Sequence, residues 1–229
     1  EQAVRQTLAE YQKHGIRWLR DGGDRWGVCS FAARIAPEYG IRYRTPGFPI
    51  HKNGHYGGFI GRGFDTPAEY RALVAEARRS GADFIKIMIS GLMDFEHLGV
   101  LTGEPLPEDE IHDMIAAAHD AGFAVMAHAN GDAAVAAAIR AGVDSVEHGA
   151  YLGEETLHQM AESGAVWVPT LVTIANLIGA GRYPDAVLRP LLEGAMARVG
   201  RAAALGAQIA PGSDAGAWRV RHAAAAGEE

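Results

Sequence analysis

From residue 66 onward, short apolar runs alternate strictly with segments of helical period, and this alternation limits the fold more than any other feature of the chain. Residues 84–91 read FIKIMISG, 123–130 FAVMAHAN, 143–152 VDSVEHGAYL, 165–172 AVWVPTLV and 208–216 QIAPGSDAG. Between them lie helical signals. Thr66-Pro67-Ala68-Glu69 is a capping box with proline at the first helical position, predicting a helix to Ser80 that Gly81 ends. Pro107 opens a helix with Ile111, Met114, Ile115 and Ala118 on one face, and Gly122 ends it. Asp132 is placed to cap a short helix ending at Ala141-Gly142; further helices are predicted over residues 154–163 and 188–204. Runs that are apolar on both faces suit parallel strands covered by helices. The order strand–helix–strand predicts a parallel α/β architecture.

The first third of the chain is less regular. Val4, Leu8 and Tyr11 predict a helix over residues 1–14. A strand over 16–19 ends in Arg20-Asp21-Gly22-Gly23; residues 28–35 predict a short helix and 41–45 a strand. Residues 46–65, rich in Gly, Pro and His, read as a loop of about 20 residues, a length usually reserved for function. Strands are therefore expected near Ile16, Ile41, Lys86, His128, His148, Val168 and Ile209, one short of a closed (β/α)8 TIM-type barrel. The expectation is a single barrel domain over residues 1–229, truncated, with strands 2–8 present and strand 1 and the C-terminal elements missing. Residues 219–229 are expected to be unstructured.

Composition removes several function classes. A net charge of −7 argues against nucleic acid and anionic membranes as partners. Cys29 is the lone cysteine, which excludes an intrachain disulfide, a zinc ribbon and a redox CxxC pair. No apolar run reaches the length of a membrane span, and no leader is seen. A cytoplasmic protein acting on a small-molecule substrate is expected.

In parallel barrels the functional residues gather at the C-terminal ends of strands. Lys86, His128, His148 and Asp214 all fall near such ends. Imidazole nitrogen and carboxylate oxygen suit zinc and similar divalent ions. An ammonium has no lone pair, but a neutral lysine that adds carbon dioxide becomes a carbamate with two ligating oxygens. An apolar strand favours the lowered pKa this needs. Each residue taken singly has an ordinary reading: a solvated lysine, a structural histidine, an aspartate forming a turn. Together they point to a metal centre. His55, with Lys52, is a candidate substrate contact from the long loop. Asn130, following His128, is a candidate for the floor of the site. Glu147 is read as facing outward or supporting His148 from behind. His14, His97, His112, His119, His158 and His222 read as surface or helix residues.

The motifs Ile85-Lys86-Ile87 with Ser90-Gly91, Ala127-His128-Ala129, Ser145-Val146-Glu147-His148-Gly149 and Gly212-Ser213-Asp214-Ala215 resemble the metal-dependent amidohydrolase superfamily. The branch is that of imidazolonepropionase-like and Xaa-Pro dipeptidase-like enzymes. The resemblance implies a carbamylated Lys86 bridging two divalent metals, zinc by default. It implies His128 and His148 on one metal, and Asp214 on the other as acid/base in hydrolysis of an amide-type C–N bond. One departure stands out: the family's first-strand His-x-His pair is absent. His51 and His55 are spaced at four and follow the third strand. The residues in hand are then expected to form a partial site, inactive alone. The alternative is a non-catalytic ligand-binding barrel.

Overall fold

The computed structural model describes residues 1–229. The chain runs α1 (Gln2–Lys13), β1 (Trp18–Arg20), α2 (Val28–Ile35), β2 (Arg42–Arg44), β3 (Pro49–Lys52), β4 (Arg62–Phe64), α3 (Pro67–Arg79), β5 (Ile85–Met88), α4 (Glu108–Asp120), β6 (Val125–Ala129), α5 (Asp132–Arg140), β7 (Ser145–His148), α6 (Glu154–Ser163), β8 (Val166–Val168), α7 (Val172–Ala175), α8 (Asp185–Ala204) and β9 (Gln208–Ile209). Every strand pairing is parallel. β1 and β2 form one ribbon; the larger sheet has the order β4-β3-β5-β6-β7-β8-β9. The two are stitched together at Thr45 and Asp83. Asp83 N–H donates to the Thr45 carbonyl and Thr45 N–H to the Asp83 carboxylate, both at 2.9 Å. All seven expected strands are present in order. The barrel is not closed, since β1 pairs only with β2 and β9 only with β8.

The sheet's alternation separates its two faces. Ile85, Ile87, Ala127, Ala129 and Val146 pack with Ile111, Ile115, Val135, Leu157 and Met160 of the covering helices. Each such large apolar side chain contributes about 1.5–3 kcal/mol by leaving water. Lys86, Met88, Met126 and His128 point to the opposite, inner face. The register brings them level, pairing Lys86 with Met126 and Met88 with His128. The capping box at α3 forms as expected: Glu69 N–H donates to Thr66 Oγ1 at 3.3 Å and Thr66 N–H to Glu69 Oε2 at 3.0 Å.

Several local expectations are corrected. Residues 46–65 are not all loop but contain β3 and β4, paired from Ile50↔Arg62 to Lys52↔Phe64. Ile50 and Phe64 are buried and supply the apolar anchors. The chain between them curls around the buried His51 ring. A Cβ at Gly57 (φ 122°) would lie 2.8 Å from His51 Cβ, so only glycine fits there. The run 165–172 divides into β8 and α7. Asp132 is the first residue of α5 rather than its cap, and its Oδ1 accepts from Gly153 N–H at 2.6 Å. Residues 219–229 are ordered, with Val220, Ala223 and Ala225 buried and a 3-10 turn at Ala224–Gly227.

Asp24 caps α2 from upstream, accepting from Val28 N–H and Cys29 N–H. The Cys29 thiol donates to the Gly47 carbonyl at 2.9 Å, and burial pushes it up to about 11. Thiolate is the reactive form. At pH 8 the native protein is therefore expected to leave Cys29 unlabelled by a thiol reagent such as DTNB, and the urea-unfolded chain to label fully. Fast labelling of the native protein would contradict this burial.

Candidate active site

Lys86 is the second of the four residues of β5, 6 % exposed, on the inner face. It has no hydrogen-bond or ion-pair partner. Burial lowers its pKa, opposed by the negative fields of Glu147 and Asp214. His128 stands two residues beyond Lys86's partner Met126, on the same face one layer higher. Its Nε2 lies 3.2 Å from the Gly91 carbonyl. A carbonyl oxygen only accepts, so Nε2 carries the hydrogen and Nδ1 keeps its lone pair. Burial, then the neighbouring His148 and Lys86, hold His128 well below the usual histidine range.

His148 reaches the same face by breaking strand geometry. On a regular strand Glu147 and His148 would point to opposite sides of the sheet. The structure places both on the inner side. Glu147 is buried in register with His128, while His148 turns at φ 71° and lays its ring against that of His128. The ring centroids are 4.6 Å apart, edge to face. A positive φ is uncommon for a residue with a Cβ and is strained backbone of the kind that gathers at functional sites. β8 holds the turn in place. Trp167 Nε1–H donates to the His148 carbonyl at 2.9 Å, and Thr170 Oγ1 lies 2.8 Å from His148 Nδ1. Gly149 must be glycine, because a Cβ there would lie 2.4 Å from Trp167 Nε1. Burial, then Lys86, lowers His148 to about 3, so both rings are neutral and offer lone pairs.

The outward reading of Glu147 is thus corrected. Arg20 reaches from β1 across the interior, donating to Glu147 Oε1 and to Ser145 Oγ, each at 2.8 Å. Ser145 Oγ donates to the same Oε1 at 2.9 Å. Removing Arg20 would leave a buried, partly unpaired carboxylate. Arg20→Met is expected to cost about 2–3 kcal/mol in urea denaturation, discounted because the Arg20 side chain is 38 % exposed. Adding Glu147→Gln should recover most of that loss. A single variant as stable as the parent would show that the strut carries no weight.

Asn130 is fully buried. It donates to the Gly91 carbonyl at 3.1 Å and accepts from Ala150 N–H at 3.1 Å, clipping together the ends of β5, β6 and β7. Asp214 lies in the turn after β9 at φ 50°, solvent-exposed, with its charge felt at Lys86, His128 and Tyr56. His55 is exposed in the β3–β4 connection and makes no side-chain hydrogen bond. From the same connection Tyr56 covers His128, with ring centroids 4.6 Å apart. Arg20, Tyr56, Trp167 and Thr170 were not anticipated as parts of this site. Only Arg20 carried a signal, as a charged residue closing a strand. Among unmodified side chains, no three His, Cys, Asp or Glu converge as a metal cage. The donors that do converge are two neutral imidazoles, with Lys86 and Asp214 near them.

Parallel βα units that bring two imidazoles, a buried lysine and a carboxylate to one face are the arrangement of a barrel-type α/β fold. The profile of the Amidohydrolase family matches residues 1–226, and the chain belongs to that family. An uncharacterized protein of Mycobacterium tuberculosis is 35 % identical over 159 residues, which is 66 % of this chain and 42 % of the relative. Ochratoxinase of Aspergillus niger is 31 % identical over 161 residues, 66 % of this chain and 32 % of the enzyme. The chain thus spans less than half the length of these relatives. Among solved structures, a Xaa-Pro dipeptidase with bound methionine superposes with TM-score 0.77 at 25 % identity, covering 96 % of this chain and 60 % of that one. A prolidase complexed with N-methylphosphonate-L-proline gives 0.73 at 28 %, covering 93 % and 58 %. No helix of the chain is long and apolar enough to cross a membrane.

Proposed function

We propose that this chain carries part of a metal-dependent hydrolase that cleaves an amide-type C–N bond, in a cyclic or linear amide or a dipeptide. The observation that carries the reading is the convergence of His128 and His148, 4.6 Å apart, beside a buried Lys86 with no partner. A lysine buried without a hydrogen-bond or ion-pair partner is costly, and a role as a carbamate ligand accounts for it. The donor chemistry suits zinc: His128 Nδ1 and one nitrogen of His148, carbamate oxygens on Lys86, and the Asp214 carboxylate. Bound divalent ions lower the pKa of water and polarise a carbonyl. Asp214 takes the proton of the attacking water and delivers it to the leaving nitrogen. Tyr56 and the β3–β4 connection wall the site where substrate enters. β1, β2 with its continuation β3, and β5–β9 are read as strands 2–8 of an eight-stranded barrel within one domain.

The named activities of the similar proteins, Xaa-Pro dipeptidase, prolidase and ochratoxinase, support an amide substrate and suggest the panel. Elemental analysis of the full-length protein, with hydrolysis assays on Xaa-Pro dipeptides and N-acyl amino acids, tests the reading. About two zinc-class ions per chain and turnover of one substrate class are expected. No bound metal after incubation with zinc and bicarbonate would favour a non-catalytic ligand-binding barrel.

A further inference from the structure

We propose that Thr170 is a positioning residue for His148, its hydroxyl oxygen accepting from Nδ1–H and so aiming the Nε2 lone pair into the site. This rests on the metal-centre reading above and extends it to a residue that the family motifs quoted earlier do not include.

Three observations carry it. Thr170 Oγ1 and His148 Nδ1 are 2.8 Å apart, and Thr170 is 3 % exposed, so water does not compete for the contact. Thr170 also sits at φ 53°, a conformation that a β-branched side chain adopts only under constraint. Its carbonyl is anchored from the far side, accepting from Thr173 Oγ1–H at 2.7 Å and Thr173 N–H at 3.1 Å. Two neighbouring turns, at His148 and at Thr170, are thus both strained and joined to each other by one side-chain hydrogen bond. Such strain persists only where the surroundings over-determine it.

The direction of that bond follows from what else His148 touches. A neutral imidazole has one N–H and one lone pair. Nδ1 faces Thr170, whereas Nε2 has no partner within the chain. Only the nitrogen open to the site can serve as a ligand, and a ligating nitrogen must present a lone pair rather than a hydrogen. The hydrogen therefore belongs on Nδ1. His128 shows the complementary arrangement, with Nε2–H on the Gly91 carbonyl and Nδ1 free. The two rings, set edge to face, then offer one lone pair each. Residues that hold the far nitrogen of a ligating histidine typically matter 10–100-fold in metal affinity.

The test uses Thr170→Val, Thr170→Ser and Thr170→Gly. Valine keeps shape and strain but loses the hydroxyl. Serine keeps the hydroxyl. Glycine removes both strain and hydroxyl. Zinc affinity, measured by chelator competition, is expected to fall about 10–100-fold in the valine and glycine variants. In the serine variant it should stay within about threefold of the parent. Glycine should melt no lower than valine, which separates positioning from stability. In parallel, 15N-detected NMR of the metal-free protein should show His148 as the Nδ1–H tautomer, turning to a mixture in Thr170→Val. Parental zinc affinity in Thr170→Val, or an Nε2–H tautomer in the parent, would overturn the proposal. If no protein binds zinc, the metal-centre reading fails, and the tautomer measurement still decides the role of Thr170.

Discussion

Lys86→Met is expected to stabilise the metal-free protein by about 2 kcal/mol while removing its capacity for a carbamate. The side chains are close in volume, and methionine adapts to its neighbours. Lys86 is buried on the inner face, and its Nζ makes no hydrogen bond within the chain, so its charge is carried at a cost that methionine does not incur. The sign of the pH dependence follows. Burial depresses the pKa of Lys86 in the folded state, so across the window from that depressed value to the ordinary lysine value near 10.4 the unfolded chain binds the extra proton. Stability of the parent therefore rises with pH through this window, and the advantage of Lys86→Met shrinks as pH approaches about 10. Chemical denaturation in chelator at pH 7 and pH 10 measures both values. A destabilised variant, or an advantage that grows with pH, would show that Lys86 is already well paired. Incubation with 13C-labelled bicarbonate and zinc should give a carbamate signal in the parent and none in the variant.

The same residue shows what could be read from sequence and what could not. A lysine inside FIKIMISG stands out because the run around it is apolar in both parities, and this pattern alone identifies a strand with both faces covered. The same logic located β6 to β8, since each run is bracketed by helical periods with plain stops at Gly122, Gly142 and Gly164. His128 lands on the face of Lys86 because parallel strands in register keep parity. That much follows from a period of two and from the rule that parallel strands need helical crossovers.

Parity also explains the outward alternative for Glu147. Adjacent residues on a strand alternate, so with His148 read as facing the site, Glu147 is expected to face outward or to support it from behind. The structure seats both inward because His148 turns to φ 71°, and that turn depends on Trp167 and Thr170, about 20 residues later. Nothing local to VEHG announces it except Gly149, whose missing Cβ makes room for the Trp167 ring. Arg20 is a similar case, since its partner Glu147 lies 127 positions away. The strands β3 and β4 were missed for a different reason. Their segments contain Gly61 and Gly63 and few β-branched residues, so local propensity argues against them. They form because Ile50, Phe64 and the His51 ring have buried places to go.

Asp214→Asn is expected to lower kcat/KM by about 10²–10⁴ on the best amide substrate, which is about 3–5 kcal/mol of transition-state stabilisation, with little effect on folding. The substitution suits this position unusually well. Asp214 sits at φ 50°, where most side chains are strained but asparagine is at home, so the turn after β9 should survive. Alanine would confound the loss of chemistry with a strained backbone. The amide also keeps one oxygen of similar geometry, so zinc should stay largely bound, whereas it cannot take up the proton of an attacking water. Because Asp214 is exposed while His128 and Lys86 are buried, its charge is the solvent-facing part of the set. Loss of kcat with a nearly unchanged KM would assign it to the chemical step. Loss of zinc instead would make it chiefly a ligand, and full activity would remove it from the mechanism altogether.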